Sequence, residues 1–267
     1  MSLSSRDNHV TRVIQLSDCH LGAGEQFVLA GINTARSLSR VLDDLGEQLA
    51  SCDLLAVTGD IAADGEREAY QLFDKLLAGR APAMAGLPGN HDDFALMQRV
   101  LRQPFLRVVE LNGWTLVFLV SAVPGKVWGQ LAEAELAQLD ALLSTCRDRH
   151  VALFVHHPPA EIQCRWLDRQ RIANADALAE LVARHGQIKV IFSGHVHQSC
   201  AVDWAGIPVY TVPSTCFQFA PACDEFELCG QPPGYRWINF HDNGAVETGV
   251  VFVREGHQAV DQHCIGY

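Results

Sequence analysis

The chain has 267 residues, of which 48% are hydrophobic and 19% are charged, a composition that excludes collagen-like, coiled-coil and wholly disordered proteins. Twenty basic residues against 31 acidic ones give a net charge of −11. That charge argues against broad contact with a nucleic-acid backbone, because such binding depends mainly on Lys and Arg.

Several features of the sequence predict a reducing, cytoplasmic setting. The nine cysteines are odd in number, irregularly spaced and without a CxxC pair, so neither a disulfide framework nor a thiolate zinc site is expected. Residues 1–10 contain no apolar segment typical of a secretory signal. The most apolar stretch, residues 114–123, is too short to cross a bilayer, so no membrane partner is expected.

In chain order, short apolar runs that predict strands alternate with segments whose apolar spacing predicts helices. The first half contains predicted strands at residues 13–16, 54–57 and 83–87, and predicted helices around residues 38–49 and 69–76. Asp64 is predicted to cap the second of these helices.

The second half begins with a predicted hairpin, in which the runs 106–111 and 114–120 flank the turn pair Asn112-Gly113. Asp176 is predicted to cap the second of two helices, which lie around residues 131–143 and 178–182. Residues 217–234, rich in Pro, Cys and acidic residues, are predicted to form a long ordered loop. Further strands are predicted at residues 151–155, 189–192, 199–204, 207–212, 236–240 and 247–253.

This order of elements predicts an α/β fold with at least one mainly parallel sheet. The length allows one or two domains, and single α/β domains of this size are common. No stretch has the composition of a linker, so a single domain over residues 1–267 is expected.

Polar side chains follow five of the predicted strands, at the point where each strand ends. Ligand sites in open α/β sheets lie at the carboxyl ends of the strands, so these five strand ends can converge on one site. The polar segments are Asp18-x-His20, Gly59-Asp60, Gly89-Asn90-His91-Asp92, His156-His157 and Gly194-His195-x-His197.

The residue types in these segments indicate a metal site. Carboxylate, imidazole and amide donors suit divalent ions such as Mn, Fe, Co or Zn. Asp18 and His20 are two residues apart, so both side chains can leave the same face of an extended segment, and His195 and His197 share this spacing. Seven candidate ligands are too many for one tetrahedral zinc, but they suffice for two ions that share a carboxylate, the arrangement used for phosphoryl transfer.

Each motif taken alone also has an ordinary structural interpretation. Gly59-Asp60 is a common turn, and His157 beside Pro158 is as consistent with structure as with function. The pair His195 and His197 is more specific, because histidines after a buried strand are costly without a partner. Six further histidines have no supporting pattern and are predicted to lie at the surface: His9, His150, His185, His241, His257 and His263.

The ordered set DxH, GD, GNHD, HH and GHxH resembles the calcineurin-like metallophosphoesterase superfamily. Residues 31–34, 164–168, 213–219 and 233–236 are similar to segments of the bacterial 3′,5′-cyclic-AMP phosphodiesterases, the class III cyclic nucleotide phosphodiesterases. The resemblance covers residues 12–267, nearly the whole chain. It implies a four-layer α/β/β/α sandwich with two mixed sheets.

The resemblance also implies roles for the residues that match the motifs. It places one metal on Asp18, His20, Asp60 and His197, and the other on Asp60, Asn90, His156 and His195. His156 is preferred over His157 because the ligand comes first after the strand. His91 is implied as the catalytic histidine that binds no metal. The implied phosphate-binding residues are His20, Asp60, Asn90, His91 and His197.

The activity implied by the resemblance is hydrolysis of 3′,5′-cyclic AMP to 5′-AMP through in-line attack by a metal-bridging hydroxide. The implied cofactors are two metal ions, first Fe or Mn and otherwise Co or Zn, and the implied partner is a small cyclic nucleotide. A related enzyme for 2′,3′-cyclic nucleotides, glycerophosphodiesters or phosphomonoesters is the first alternative. The second is a non-catalytic scaffold on the same fold, and the oligomeric state stays open.

Overall fold

Strands form the centre of the computed structural model, which describes residues 10–80 and 83–266. In these residues, the strands are β1 (Val10–Leu16), β2 (Val28–Leu29), β3 (Ile32–Asn33), β4 (Leu54–Val57), β5 (Met84–Gly86), β6 (Val108–Leu111), β7 (Trp114–Leu119), β8 (His150–Val155), β9 (Ile188–Ser193), β10 (Ala201–Trp204), β11 (Ile207–Thr211), β12 (Gln218–Phe219), β13 (Leu228–Cys229), β14 (Gly234–His241) and β15 (Val246–Phe252). The helices are α1 (Thr34–Leu45), α2 (Glu47–Ser51), α3 (Arg67–Leu77), α4 (Phe94–Val100), α5 (Glu133–Thr145), α6 (Arg165–Asp168) and α7 (Ala175–Arg184). None of these helices has both the length and the apolar composition needed to cross a membrane.

Most of the strands belong to two large mixed sheets. The first sheet has the order β15-β14-β1-β4-β5, in which β1, β4 and β5 are parallel and the other two strands are antiparallel to their neighbours. The second has the order β10-β11-β9-β8-β7-β6, with four parallel central strands between two antiparallel edge strands. Strands β4 and β7 are buried along their whole length, as expected for apolar strands covered on both faces.

Three apolar clusters separate four layers. Between the sheets, the ring of Phe154 stacks on Phe118 and Phe192 with centroid distances of 4.6 and 5.2 Å. The outer face of the first sheet packs against α1, α3 and α4, and that of the second against α5 and α7. The prediction of an α/β/β/α sandwich with two mixed sheets is confirmed.

The predicted strands and the predicted hairpin are present, with bounds that differ by at most three residues. Asn112 and Gly113 have φ angles of 41° and 83°, two positive values that a type I′ hairpin turn requires. The helix predicted around residues 38–49 is divided at Gly46, whose φ of 46° ends α1 before α2 begins.

Both predicted helix caps are wrong. Glu66 stands at the N-cap of α3 without a side-chain capping bond, and Asp64 is an exposed residue before it. Asn174 stands at the N-cap of α7, and Asp176 lies in the first turn. The Asn174 carboxamide bonds instead to Leu131, donating to its carbonyl at 2.8 Å and accepting from its N–H at 3.0 Å. Acidic residues near a helix start are visible in the sequence, but the residue at which the backbone turns helical is not.

Several short elements escaped prediction because two to seven residues show little periodicity. These are the β2–β3 hairpin, the helices α4 and α6, and the β12–β13 ribbon. The ribbon lies within residues 217–234, where the sequence predicts only a loop.

The surface prediction for histidines is only partly right. His257 and His263 are exposed, and His9 lies outside the described residues. The other three are half-buried and have partners, so the prediction is wrong for them. The His150 ring lies 5.2 Å from that of Trp114, His185 Nε2 lies 2.6 Å from Asp140 Oδ1, and His241 Nε2 lies 3.3 Å from Glu247 Oε2.

Candidate metal centre

The predicted donors meet where the carboxyl ends of strands from both sheets come together. The loop after β1 pairs with the loop after β4, since the N–H of Asp18 donates to the Gly59 carbonyl at 2.9 Å. The N–H of His20 donates to the Asp60 carbonyl, also at 2.9 Å. The loop after β9 joins this pair, because the N–H of His195 lies 3.1 Å from both carboxylate oxygens of Asp18. A backbone N–H bound to a carboxylate therefore connects the two sheets at the site.

Glycines precede donors in these loops because the backbone has no room there for a side chain. At Gly59 the φ angle is 95°, and a Cβ would lie 2.5 Å from Gly89 N and 2.6 Å from His156 Nδ1. A Cβ at Gly194 would overlap the Ser17 hydroxyl. The glycines of the motifs thus permit a close approach that any larger residue would prevent.

Five of the seven predicted ligands have a left-handed backbone, with φ angles between 45° and 66°. Non-glycine residues rarely adopt this conformation, which costs about 1–3 kcal/mol each and is typical of functional sites. The surrounding hydrogen bonds must impose it. The five residues are Asp18, His20, Asp60, His195 and His197.

The first group of donors contains Asp18, His20 and His197. All three are buried, and their donor atoms lie within 4.8 Å of one another. His20 Nε2 lies 3.1 Å from His197 Nε2, and His197 Nε2 lies 3.5 Å from Asp18 Oδ1. Asp60 Oδ2 lies 3.9 Å from His20 Nε2, which brings this carboxylate to the edge of the group.

The second group forms around the other side of Asp60. His156 Nε2 lies 3.2 Å from Asp60 Oδ2 and 3.1 Å from Asn90 Oδ1. The ring of His195 lies 5.1 Å from that of His156. The structure therefore brings all seven predicted donors together and places Asp60 between the two groups.

Backbone carbonyls orient two of the imidazoles. His156 Nδ1 donates to the Thr58 carbonyl at 2.7 Å, and His197 Nδ1 donates to the Phe217 carbonyl at 2.8 Å. In each ring this bond occupies Nδ1, so Nε2 is the nitrogen available to a cation, and Nε2 is the atom that faces the other donors.

His157 lies in the same region, although sequence reasoning set it aside. Its ring nitrogens come within 4.8 Å of those of His156 and His195. Its Nδ1 lies 2.8 Å from the Ser121 hydroxyl, and its backbone N–H donates to the same oxygen at 3.3 Å. The contacts of His156 with Asp60 and Asn90 favour His156 as the ligand.

The electrostatics of the buried donors suit a cation. Burial raises the pKa of Asp60, but the imidazoles of His156 and His91 outweigh burial and hold that pKa well below its usual range. Burial lowers the pKa of His20 and of His195 well below the usual value, which keeps both imidazoles neutral. Burial also lowers the pKa of His156, but Asp60 outweighs it and brings that pKa to about 9, so a cation binding there displaces a proton.

Two structural observations indicate that these residues fit a metal ion. His195 Nε2 is buried and has no hydrogen-bond partner among the described residues, which is costly unless a cation supplies the partner. His197 Nε2 and His20 Nε2 face each other at 3.1 Å, close enough for one cation to bind both nitrogens. The mixed oxygen and nitrogen donors match borderline divalent ions.

His91 lies beside these donors and is tied to them by its backbone. Its N–H donates to Asp60 Oδ1 at 2.9 Å, and its Nδ1 donates to the Ala63 carbonyl at 2.9 Å. The His91 ring meets that of His20 edge-on at 5.0 Å. These contacts direct one ring nitrogen to the protein backbone and bring the ring against the donor cluster.

Asp92 supports the site, a role that the sequence analysis did not assign. Its carboxylate accepts the N–H groups of Gly89, Ile61 and Ala62 at 2.9–3.2 Å, and the Tyr70 hydroxyl at 3.2 Å. Burial, together with the charge of Asp60, raises the pKa of Asp92 to about 6. In the sequence, the signal that could have indicated this role is the position of Asp92 directly after the GNH motif.

A cavity of about 240 Å³ opens beside the donors. One side is formed by residues that belong to the donor groups or lie beside them. The other side is formed by the half-buried Trp166, by apolar residues and by Gln170. The lining includes Asp60, Asn90, His91, His195, Trp166, Leu167, Gln170, Phe219 and Phe226.

The fold and the donor set define a class of protein. Residues 11–199 match the family of calcineurin-like phosphoesterases, and the chain belongs to this family, which confirms the resemblance seen in the sequence. Two solved structures show the same fold at low sequence identity. A dimetal phosphatase from Danio rerio has a TM-score of 0.59 at 16% identity, over 91% of this chain and 98% of that chain. The purple acid phosphatase PPD1 from yellow lupin has a TM-score of 0.65 at 10% identity, over 95% of this chain and 53% of that chain.

Two relatives with higher sequence identity to this chain share one name, that of a cyclic-AMP phosphodiesterase. The 3′,5′-cyclic adenosine monophosphate phosphodiesterase CpdA of Pseudomonas aeruginosa is 35% identical over 257 residues, which are 96% of this chain and 94% of that protein. The protein of the same name from Escherichia coli K12 is 36% identical over 244 residues, 90% of this chain and 88% of that protein.

Proposed function

We propose that this protein is a metal-dependent phosphodiesterase that hydrolyses 3′,5′-cyclic AMP to 5′-AMP. The observation that carries the proposal is the complete set of seven donors with Asp60 at its centre, in a chain that aligns with the cyclic-AMP phosphodiesterases over about nine-tenths of its length. A non-catalytic scaffold would have no need to keep the strained, buried donors that make this set costly.

The donor set suits two ions, with Fe or Mn as the first choice and Co or Zn as alternatives. One ion would be held by Asp18, His20, Asp60 and His197. The other would be held by Asp60, Asn90, His156 and His195. When bound, such a pair supplies a Lewis acid for the phosphate oxygens and lowers the pKa of a water that can act as nucleophile.

The protein's own groups would serve the rest of the reaction. Water adds to phosphorus, the bond from phosphorus to the 3′ oxygen breaks, and that oxygen takes up a proton. His91 is the group proposed to supply this proton, because its Nδ1 bond to Ala63 fixes the ring beside the donor cluster, where it lines the cavity. The Asn90 amide would donate from Nδ2 to a phosphate oxygen while Oδ1 stays near His156.

The test compares possible substrates on the purified protein loaded with Mn or Fe. We expect kcat/KM to be highest for 3′,5′-cyclic AMP, with 5′-AMP as the product by chromatography. The comparison set is 2′,3′-cyclic AMP, a glycerophosphodiester and a phosphomonoester. A higher kcat/KM on any of these would overturn the assignment of cyclic AMP. Asp60→Asn should remove turnover of every substrate, and Asp64→Asn, at an exposed position, is the matched control.

A further inference from the structure

The cavity beside the metal donors has two chemically different sides. The donor side carries the groups that would bind a phosphate. The far side carries Trp166, Gln170 and Phe226, none of which belongs to the two donor groups. An anion joined to a flat group matches both sides, since the far side offers aromatic rings and one carboxamide.

The aromatic side is built onto the donor cluster. The ring of Phe219 stacks on that of His197 with a centroid distance of 4.2 Å. The indole of Trp166 meets Phe219 edge-on at 4.9 Å and Phe226 at 5.5 Å. This chain of ring contacts sets the position of Trp166 relative to a metal ligand, so the two sides of the cavity keep a defined separation.

The segment that carries Trp166 is held rigidly. The Asp168 carboxylate accepts the N–H of Ile162 at 2.7 Å and that of Cys164 at 3.1 Å. The N–H of Gln170 donates to the Leu167 carbonyl at 2.8 Å, which closes the turn after α6. A rigid wall loses little entropy when a ligand binds.

This wall carries two polar groups, one of which is buried without a hydrogen-bond partner among the described residues. The indole Nε1 of Trp166 is buried without an acceptor, which is unusual for a buried tryptophan. The Gln170 side chain is half-buried and lines the cavity. The wall therefore presents an aromatic side chain and a carboxamide to the same cavity.

We propose that this side of the cavity is the adenine subsite, with Trp166 stacked on the base and Gln170 hydrogen-bonded to its N6 and N7. The inference rests on the proposed function, since it extends the same substrate from the phosphate to the base. A carboxamide offers an NH₂ group that donates and an oxygen that accepts, which matches adenine N7 and the N6 amino group. Guanine presents two acceptors, N7 and O6, at the same edge, so Gln170 selects cyclic AMP over cyclic GMP.

The first experiment measures kcat/KM on cyclic AMP, cyclic GMP and methyl 4-nitrophenyl phosphate, a diester without a base. Trp166→Ala should lower kcat/KM on cyclic AMP roughly 5- to 150-fold more than on the base-free diester, the range expected for one stacked base. Trp166→Phe should recover most of that loss. Trp204→Phe, on the edge strand β10, is the matched control. Equal losses on cyclic AMP and on the base-free diester would overturn the stacking.

The second variant tests the choice of base. Gln170→Ala should reduce the preference for cyclic AMP over cyclic GMP by roughly 5- to 150-fold, and Gln170→Lys should shift the ratio further towards cyclic GMP. Gln138→Ala, at an exposed position of α5, should leave the ratio unchanged. An unchanged ratio in Gln170→Ala would overturn the role of Gln170.

A binding measurement separates this inference from the proposed function. In metal-loaded protein, calorimetry should show tighter binding of 5′-AMP than of ribose 5-phosphate, and Trp166→Ala should remove most of the difference. This result would support the subsite even if the wild type failed to hydrolyse cyclic AMP, which would overturn only the proposed function. Equal affinity for the two ligands in the wild type would overturn the subsite even if cyclic AMP were hydrolysed.

Discussion

The two sheets contribute different chemistry to the same site. The loops after the first sheet carry the oxygen donors Asp18, Asp60 and Asn90, whereas the loops after the second carry only imidazoles. Each half is nevertheless oriented by the other. The Thr58 carbonyl, which follows β4, holds His156, and the N–H of His195, which follows β9, holds Asp18. The difference teaches that neither half is a site alone, because each has a donor that a group from the opposite sheet aims.

The largest expected effect comes from Asp60, the donor between both groups. Asp60→Ala should lower kcat/KM by more than about 10²-fold, because residues that only orient ligands already contribute about 10–100-fold. Metal analysis should show the loss of at least one of two bound ions. Near-normal turnover in the variant, or a wild type that never binds more than one equivalent, would contradict the shared carboxylate.

His91 sharpens the comparison. It lies in a loop after the first sheet, among the oxygen donors, but it is not itself a proposed metal ligand. His91→Ala should keep the metal content but lower kcat on cyclic AMP by roughly 10²–10⁴-fold. The loss should be smaller on a nitrophenyl diester, whose leaving group needs no proton. Measuring kcat on both substrates decides the role, and equal losses would indicate phosphate binding instead of proton transfer.

Asp92 tests how far metal binding by the loops after the first sheet depends on the backbone hydrogen bonds that hold those loops. Asp92→Asn removes a carboxylate that accepts three backbone N–H groups from the loops of Asp60 and Asn90. Metal affinity should fall by roughly 10–100-fold, as measured by competition with a chelator. Asp93→Asn is the matched control, since Asp93 caps α4 and asparagine caps equally well. An unchanged affinity in Asp92→Asn would show that the loops hold their shape without it.

The smallest expected effect comes from Ser121, which tests the loops after the second sheet, where the donors are imidazoles. Ser121→Ala removes the hydroxyl beside His157 Nδ1 and leaves a buried imidazole nitrogen without its partner. The free energy of unfolding should fall by about 1–3 kcal/mol, measured by urea denaturation. Two bound metals should remain, because His157 is not a proposed ligand. Loss of one metal in this variant would instead bring His157 into the coordination.

Prediction from sequence succeeded where the signal is local. The apolar runs of β4 and β9 and the pair Asn112-Gly113 carry their own structure, because strand burial and positive φ angles select residue types directly. It failed at Asp64 and Asp176, because the residues at the two N-cap positions, Glu66 and Asn174, make no side-chain capping bond that residue type would signal. It also missed β12 and β13, whose two-residue strands depend on the loop packing around them.

By itself, the sequence determined the order of the elements, the strand ends and the types of donor that follow them. These follow from local periodicity and from glycines that allow polar residues to turn out of a buried strand. Only the tertiary structure decided which donors meet: His20 and His197 are 177 positions apart, yet their Nε2 atoms lie 3.1 Å from each other. It also decided that His156 rather than His157 faces Asp60, and that Trp166 and Gln170 line the cavity. The reason is that such contacts depend on how two sheets pack face to face and on side-chain direction, and no local pattern in the chain encodes either.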